Sequence, residues 1–260
     1  MKLHYHILKT IIRVLYLTIS NEKYLDEDVM KTIILAGGFG SRISEETDSK
    51  PKPMIEIDGK PLLWHIMQIY LKHVSTEFII ATGYKADIID EYIKNENFDF
   101  KVSTLFTGLN SATGRRIKII LNSLNDDRVF VTYGDGVADV NIKELLDLHC
   151  AGRKIATLTA VKPPPRFGSL QVNGNNVVGF SEKNALSEGW INGGFFVLER
   201  EVLKFIGNNN DSFEGDSLPK IVEENQLMAY FHKGFWKPMD TLRDKRDLQE
   251  ICKIGVPPWL

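Results

Sequence analysis

The sequence predicts an α/β protein built on a single, mainly parallel sheet flanked by helices. Three observations carry this expectation. Short β-branched runs alternate with stretches of helical periodicity from Thr32 onward, a glycine-rich turn follows the first run, and Asp135 ends a later run between two glycines. Strands that alternate with helices need crossover connections, and these favour parallel pairing with both faces covered.

TIILA (32–36) reads as a buried strand that runs straight into GGFGSR. LLWHIMQIYLKHV (62–74) has helical spacing, with Pro61 placed as a first-turn proline. EFIIATG (77–83) and RVFVTYGDG (128–136) read as strands, ADIIDEYIKN (86–95) as a helix, and NIKELLDLHCAG (141–152) as a helix stopped by its glycine. KIATLTAV (154–161) is again a strand. After Pro163, SLQVNGNNVVGFSE reads as two strands about a turn at Asn173 and Gly174. INGGFFVLE is another strand, VLKFI and LPKIVEEN are short helices, LMAYFHKGFW is β, and DTLRDKRDLQEICKIG is a terminal helix. No internal repeat or low-complexity linker divides the chain, so the second half extends the same sheet.

The bulk composition is that of an ordinary soluble protein: 260 residues, 43% hydrophobic and 25% charged. A formal charge of −2 supplies no global field toward nucleic acid or an anionic membrane. An anionic substrate must therefore be held by local cations and backbone N–H groups. Cys150 and Cys252 lie far apart without metal-type spacing, and both fall in helical stretches, so reduced core thiols are expected. Residues 1–29 stand apart. Lys9 and Arg13 interrupt their apolar run, which is too short and too charged to span a bilayer, although Leu3, Ile7, Ile11 and Leu15 recur at amphipathic helical spacing. Met30 opens a complete first strand. The expected division is thus an N-terminal extension, 1–29, surplus to a catalytic domain, 30–260.

Three constellations can carry chemistry. In LAGGFGSR (35–42) a glycine turn lets backbone N–H groups approach phosphate oxygens, and Arg42 and Lys52, just beyond it, suit a polyphosphate. The turn is not a Walker loop, and it lacks the third glycine of the dinucleotide fingerprint. A solvated loop carrying two cations is the plainer reading. In TYGDG, Asp135 stands where ligands of open α/β sheets bind, at the carboxyl end of a strand, and can hold a divalent cation. Asp240 is the natural second carboxylate, but TLRDKRDLQEI follows directly, so a helix N-cap is the alternative. In GFSEKN and INGGFFVL, Glu182 can accept from sugar hydroxyls, and Lys183 can hold a phosphate as a point charge. Gly193 and Gly194 suggest close approach of a ligand or of another backbone. An exposed turn and a bulge explain the same residues. Trp64, His65, His149, Tyr133 and Trp236 read as core. No Ser-His-Asp or Cys-His set is apparent.

LAGGFGSRISEETDSKPKPMIEIDGKPLLWHI resembles the signature of the sugar-1-phosphate nucleotidyltransferases: a strand, GGxGTRL, then PKPM and a further KP. Ser41 and Ile43 depart mildly from that pattern, as does Asn184 from FxEKP. SEET, TYGDGVADVNI, PPPRFGSLQV, INGGFFVL and FWKPMDTLRDK are similar to the branch that joins CTP to glucose 1-phosphate, and the likeness covers nearly everything after Met30. Residues 98–121 are shorter than is typical of that branch. The resemblance implies a Rossmann-like sheet of the nucleotide-diphospho-sugar transferase type, a Mg²⁺ cofactor and release of pyrophosphate. It implies a cytoplasmic homo-oligomer with small-molecule substrates, CTP and glucose 1-phosphate, and neither nucleic acid nor membrane as partner. The product would be a sugar nucleotide for deoxysugar and surface-polysaccharide (O-antigen) synthesis.

Carried over residue by residue, Arg42, Lys52 and Asp135 would be catalytic, and Asp135 and Asp240 would hold the metal. Leu35, Ala36, Gly37, Gly38, Gly40, Ser41, Arg42, Lys52 and Gly134 would bind the nucleotide. Gly114 and Arg115, in TGRR, would border its base or ribose, with a plain helix start as the alternative. Gly168, Glu182, Lys183, Asn192 and Gly193 would bind the sugar phosphate. Two rivals stand beside this: the same reaction with dTTP, UTP or GTP, and a non-catalytic sugar-nucleotide-binding module. A nicotinamide-dependent oxidoreductase is disfavoured, because the second strand ends in ATGYK without an acidic ribose contact.

Overall fold

A computed structural model describes residues 29–74, 76–163, 169–173, 176–181 and 189–260. The amphipathic pattern of Leu3 to Leu15, the turn at Gly174, and Gly168, Glu182, Lys183 and Asn184 lie outside the described residues.

In chain order the strands and helices of the first half are β1 (Met30–Leu35), α1 (Ser44–Thr47), β2 (Glu56–Ile57), β3 (Lys60–Pro61), α2 (Leu62–Leu71), β4 (Thr76–Thr82), α3 (Ala86–Asn95), β5 (Val102–Phe106), α4 (Thr113–Ser123) and β6 (Arg128–Tyr133). There follow β7 (Gly136–Ala138), α5 (Ile142–Gly152), β8 (Ala156–Val161), β9 (Ser169–Asn173), β10 (Asn176–Ser181), β11 (Ile191–Asn192), β12 (Phe196–Glu199), α6 (Leu218–Glu223), β13 (Leu227–Phe231), β14 (Trp236–Pro238) and α7 (Leu242–Ile254). The central sheet runs β13, β8, β12, β6, β1, β4, β5, with β11 continuing beside β8. β6, β1, β4 and β5 pair in parallel, and β12 enters antiparallel between β6 and β8.

The inner strands β1, β4, β6, β8 and β12 are largely buried on both faces, which is why they read as continuous apolar runs, while the edge strands β5 and β13 are half-exposed. Ile34, Phe78, Ile80 and Phe130 point into one core with Leu63, Ile66 and Tyr70 of α2. Ile33, Leu35, Val129 and Val131 point into the other with Ile117, Ile120 and Leu121 of α4. Each such side chain contributes about 1.5–3 kcal/mol by leaving water.

Several local readings change. INGGFFVLE is two strands, not one, because a bulge at Gly193–Phe195 breaks it; Gly194 has φ 81° and Phe195 φ 48°. LMAYFHKGFW likewise divides into β13 and β14. Gly152 does not itself take the left-handed position that ends α5; Arg153 does, at φ 52°. Gly152 is small for another reason: a Cβ there would stand 1.9 Å from Met228 Sδ. The cysteines are free but not core, since Cys150 is exposed and Cys252 half-buried.

Asp240 is not the N-cap of α7. Thr241 is: its hydroxyl accepts from the Asp244 N–H at 3.2 Å, and the Asp244 carboxylate accepts from the Thr241 N–H at 2.9 Å. The Asp240 side chain is therefore free of the cap, and it accepts instead from Lys52 and Arg42.

Candidate active site

The glycine loop leaves β1 at the carboxyl edge of the parallel strands and is sewn to its neighbours by backbone bonds. Ala36 N–H donates to Ala81, Gly134 N–H to Leu35, and Tyr84 N–H to Gly37. Gly40 has φ 66°, where a side chain would be strained and its Cβ would stand 2.8 Å from Thr47. A Cβ on Gly38 would meet nothing within 4 Å, so this backbone is open to whatever occupies the cleft. A cavity of about 310 Å³ lies over the loop, lined by Leu35, Ala36, Gly37, Gly38, Gly40, Ser41, Arg42, Lys52, Gly134 and Asp135. These ten expected residues thus share one site.

Its charged corner is a compact quartet. The Lys52 ammonium donates to Asp135 Oδ2 at 2.9 Å and to Asp240 Oδ1 at 2.7 Å, and Arg42 donates to Asp240 Oδ2 at 2.7 Å. Distant in sequence, the two aspartates meet because β14 pairs antiparallel with β7, placing Pro238 opposite Gly136, and Met239 N–H closes the ladder on Asp135 C=O at 2.8 Å. The Lys52 side chain is only 9% exposed and that of Asp240 12%, whereas Arg42 is 70% exposed. The buried pair is the fixed part, and Arg42 is the arm that can turn to an incoming anion.

Gly114 and Arg115 do not line the cleft. Gly114 packs on the backbone of Asp211 and Phe213, and Arg115 is exposed. The next residue, Arg116, lines the cleft instead. It is 4% exposed and donates to the carbonyls of Gly37, Thr82 and Gly108 and to Thr107 Oγ1, at 2.6–3.1 Å. Burial pulls its pKa down. A Cβ on Gly37 would stand 2.1 Å from this guanidinium. Arg116 is therefore the brace of the glycine loop and of the 107–109 segment facing it.

Beside the root of the glycine loop, paired with Leu35 across β1 and β6, Tyr133 also lines the cleft, contrary to its reading as core. Its hydroxyl accepts from Asn192 Nδ2 at 2.9 Å and donates to Glu214 at 2.6 Å. Burial, and then the Glu214 carboxylate, push the phenol well above its ordinary pKa. The glycine pair turns out to make room for packing within the protein. A Cβ on Gly193 would meet Val161 at 2.6 Å, and one on Gly194 would meet the Tyr133 ring at 2.9 Å. Trp236 Nε1 donates to Gly193 C=O at 2.9 Å, so this tryptophan supports the wall.

Two carboxylates and no third acidic, histidine or cysteine group make up the candidate metal donors; among the described residues no cluster of three exists. An all-protein cage is therefore not offered. One or two carboxylates completed by substrate phosphates is how Mg²⁺ is usually bound, and Asp135 with Asp240 fit that pattern.

This fold and this charged cleft define a nucleotide-handling α/β protein, and the chain belongs to the nucleotidyl transferase family, which it matches over residues 31–249. It is 45% identical over 253 residues to the glucose-1-phosphate cytidylyltransferase of Salmonella typhimurium strain LT2, covering 88% of this chain and 98% of that one. It is 28% identical over 225 residues to the D-glycero-alpha-D-manno-heptose 1-phosphate guanylyltransferase of Aneurinibacillus thermoaerophilus, covering 85% and 97%. The solved structure of HddC from Yersinia pseudotuberculosis superposes with a TM-score of 0.67 at 26% identity, covering 87% of this chain and all of that one, 100%. No helix among the described residues is long and apolar enough to cross a membrane.

Proposed function

We propose that this protein transfers a cytidylyl group from CTP to α-D-glucose 1-phosphate, giving CDP-glucose and pyrophosphate. The observation that carries the reaction type is the convergence of Arg42, Lys52 and Asp135 on one glycine-loop cleft, with the buried Asp240 bonded to both cations. The choice of CTP and glucose 1-phosphate rests on the 45% identity to the Salmonella enzyme.

A phosphate oxygen of the sugar phosphate attacks the α-phosphorus of CTP, and the bond to the β-phosphate oxygen breaks as the new P–O bond forms. The protein has little covalent chemistry to do. Its part is to hold the two anions in line and to offset the charge that moves onto pyrophosphate. The glycine-loop backbone and Arg42 would take the leaving phosphates, while Lys52 would leave one of its carboxylates for the α-phosphate. A magnesium ion held by Asp135 and Asp240 would supply further neutralisation of the phosphate oxygens. Asn192, together with Gly168, Glu182 and Lys183, would bind the sugar phosphate. A cytoplasmic homo-oligomer supplying CDP-glucose to deoxysugar and surface-polysaccharide synthesis completes the reading.

The deciding assay offers purified protein CTP, dTTP, UTP and GTP separately with glucose 1-phosphate and Mg²⁺, and follows pyrophosphate and the mass of the sugar nucleotide. CTP should give CDP-glucose fastest, and EDTA should stop turnover until Mg²⁺ is restored in excess. Preference for another base would overturn the substrate assignment. Nucleotide binding without pyrophosphate release would favour a non-catalytic binding module.

A further inference from the structure

Glu214 stands in the wide turn Phe213–Ser217, outside every motif considered above, yet it is wired into the cleft. Its partners are hydroxyls, not cations. Oε1 accepts from Tyr133 at 2.6 Å, and Oε2 accepts from Thr113 Oγ1 at 2.5 Å and from Ser212 Oγ at 3.0 Å. An ionised carboxylate can only accept, so it fixes the sense of every bond that follows. Tyr133 must give its single proton to Glu214, and its oxygen is then free to accept. Asn192 must therefore turn Nδ2, not Oδ1, toward the phenol. The Gly194 N–H agrees, donating to Asn192 Oδ1 at 2.9 Å. Only one of the two Nδ2 hydrogens is spent on Tyr133.

We propose that Glu214 is a positioning residue which, acting through Tyr133, fixes the amide of Asn192 so that its remaining N–H meets the sugar phosphate. This rests on the reading above that Asn192 belongs to the sugar-phosphate side. Without the carboxylate, the phenol can donate to Asn192 as easily as accept from it. The amide is then held in its orientation by the Gly194 N–H alone, and the sugar-phosphate ligand feels that loosening.

The test compares wild type, Glu214→Gln, Tyr133→Phe and the double variant by KM for each substrate, kcat and urea midpoint. Glu214→Gln keeps size and shape but can present an N–H to Tyr133, so it serves even if Tyr133→Phe folds poorly. Each single variant should raise KM for glucose 1-phosphate about tenfold while KM for CTP stays within about twofold. The double variant should be no worse than the worse single one, because both remove the same relay. Calorimetric titration with glucose 1-phosphate should show the same ordering of affinity.

An unchanged KM for glucose 1-phosphate in Glu214→Gln overturns the inference. So does a parallel rise in both KM values with a fallen urea midpoint, which would mark a merely structural role, and so do effects that multiply in the double variant. If wild type itself neither turns over nor binds glucose 1-phosphate, the proposed reaction falls first and this inference with it. Normal wild-type turnover matched by the variants overturns this inference alone.

Discussion

Two neighbouring walls of the cleft are made of opposite materials. On one, Lys52 and Arg42 face Asp135 and Asp240, four full charges joined by bonds of 2.7–2.9 Å. On the other, one carboxylate, Glu214, speaks through neutral groups, Tyr133 and Asn192. A polyphosphate responds to charge at several ångströms, whereas a sugar hydroxyl is recognised by a directed hydrogen bond that fails once misaligned. Damage to the first wall should therefore appear in turnover, and damage to the second in affinity for one substrate.

The largest effect tests the charged wall. Asp135→Ala or Arg42→Ala should cut turnover roughly a hundredfold or more, since single electrostatic donors of this kind contribute on the order of 3 kcal/mol to a transition state. Pyrophosphate release measures it, with nucleotide binding as the control. Near-normal turnover in either variant would remove that residue from the mechanism and break the contrast between the walls.

Arg116 sharpens the comparison because it is a charge used as a brace. Its guanidinium meets backbone and hydroxyl oxygens, with no carboxylate among the recorded acceptors. Arg116→Ala should destabilise the fold by about 2–3 kcal/mol by stranding buried acceptors, measured as a shift of the urea transition. It should also raise KM for CTP, since Gly37 loses its support. Arg116→Lys should rescue little, because an ammonium cannot span the fork of acceptors. A stable Arg116→Ala protein with normal KM would make the arginine an ornament of the surface it lines.

The contrast also explains what could be read from the sequence. The charged wall was legible because phosphate chemistry confines it to short motifs: LAGGFGSR, KPKP and TYGDG each deliver their residues to the cleft. Asp240 was ambiguous for a physical reason, since either Asp240 or Thr241 can cap α7 and only the packing of β14 on β7 decides between them. Arg116 does leave a signal in the sequence: it falls on the same stripe as Ile117, Ile120 and Leu121, and a charge on an apolar stripe needs partners. Tyr133 looked like core because an aromatic residue ending a strand usually is. Glu214 left no signal, because hydroxyl partners from α4, β6 and its own turn meet it only in three dimensions. The bulge at Gly194 was hinted at by its glycines, but its cause, the Tyr133 ring, was not.

The smallest effect examines a second relay whose sense is set by one group, among residues that do not line the cleft. Trp259 can only donate, and its Nε1 gives a 3.1 Å bond to His65 Nδ1; the other ring nitrogen then carries the proton and donates to Ile57 C=O at 2.8 Å. His65 is 2% exposed, and burial lowers its pKa below the ordinary 6.5, although the Ile57 carbonyl and Asp58 pull the other way. The unfolded chain thus binds this proton more readily than the folded one, so stability is full above about pH 6.5 and declines as pH falls below it. His149, buried against Thr157 and Glu199, is shifted in the same direction and adds to the slope. Urea midpoints between pH 7.5 and 5.5 should fall with acid, and less steeply in Trp259→Phe, where a protonated Nδ1 no longer faces an opposing N–H. The lost bond itself should cost that variant about 1 kcal/mol at neutral pH. An acid slope identical to wild type would mean that the indole does not set the tautomer, and that one acceptor-only or donor-only group is not enough to fix the sense of a buried relay.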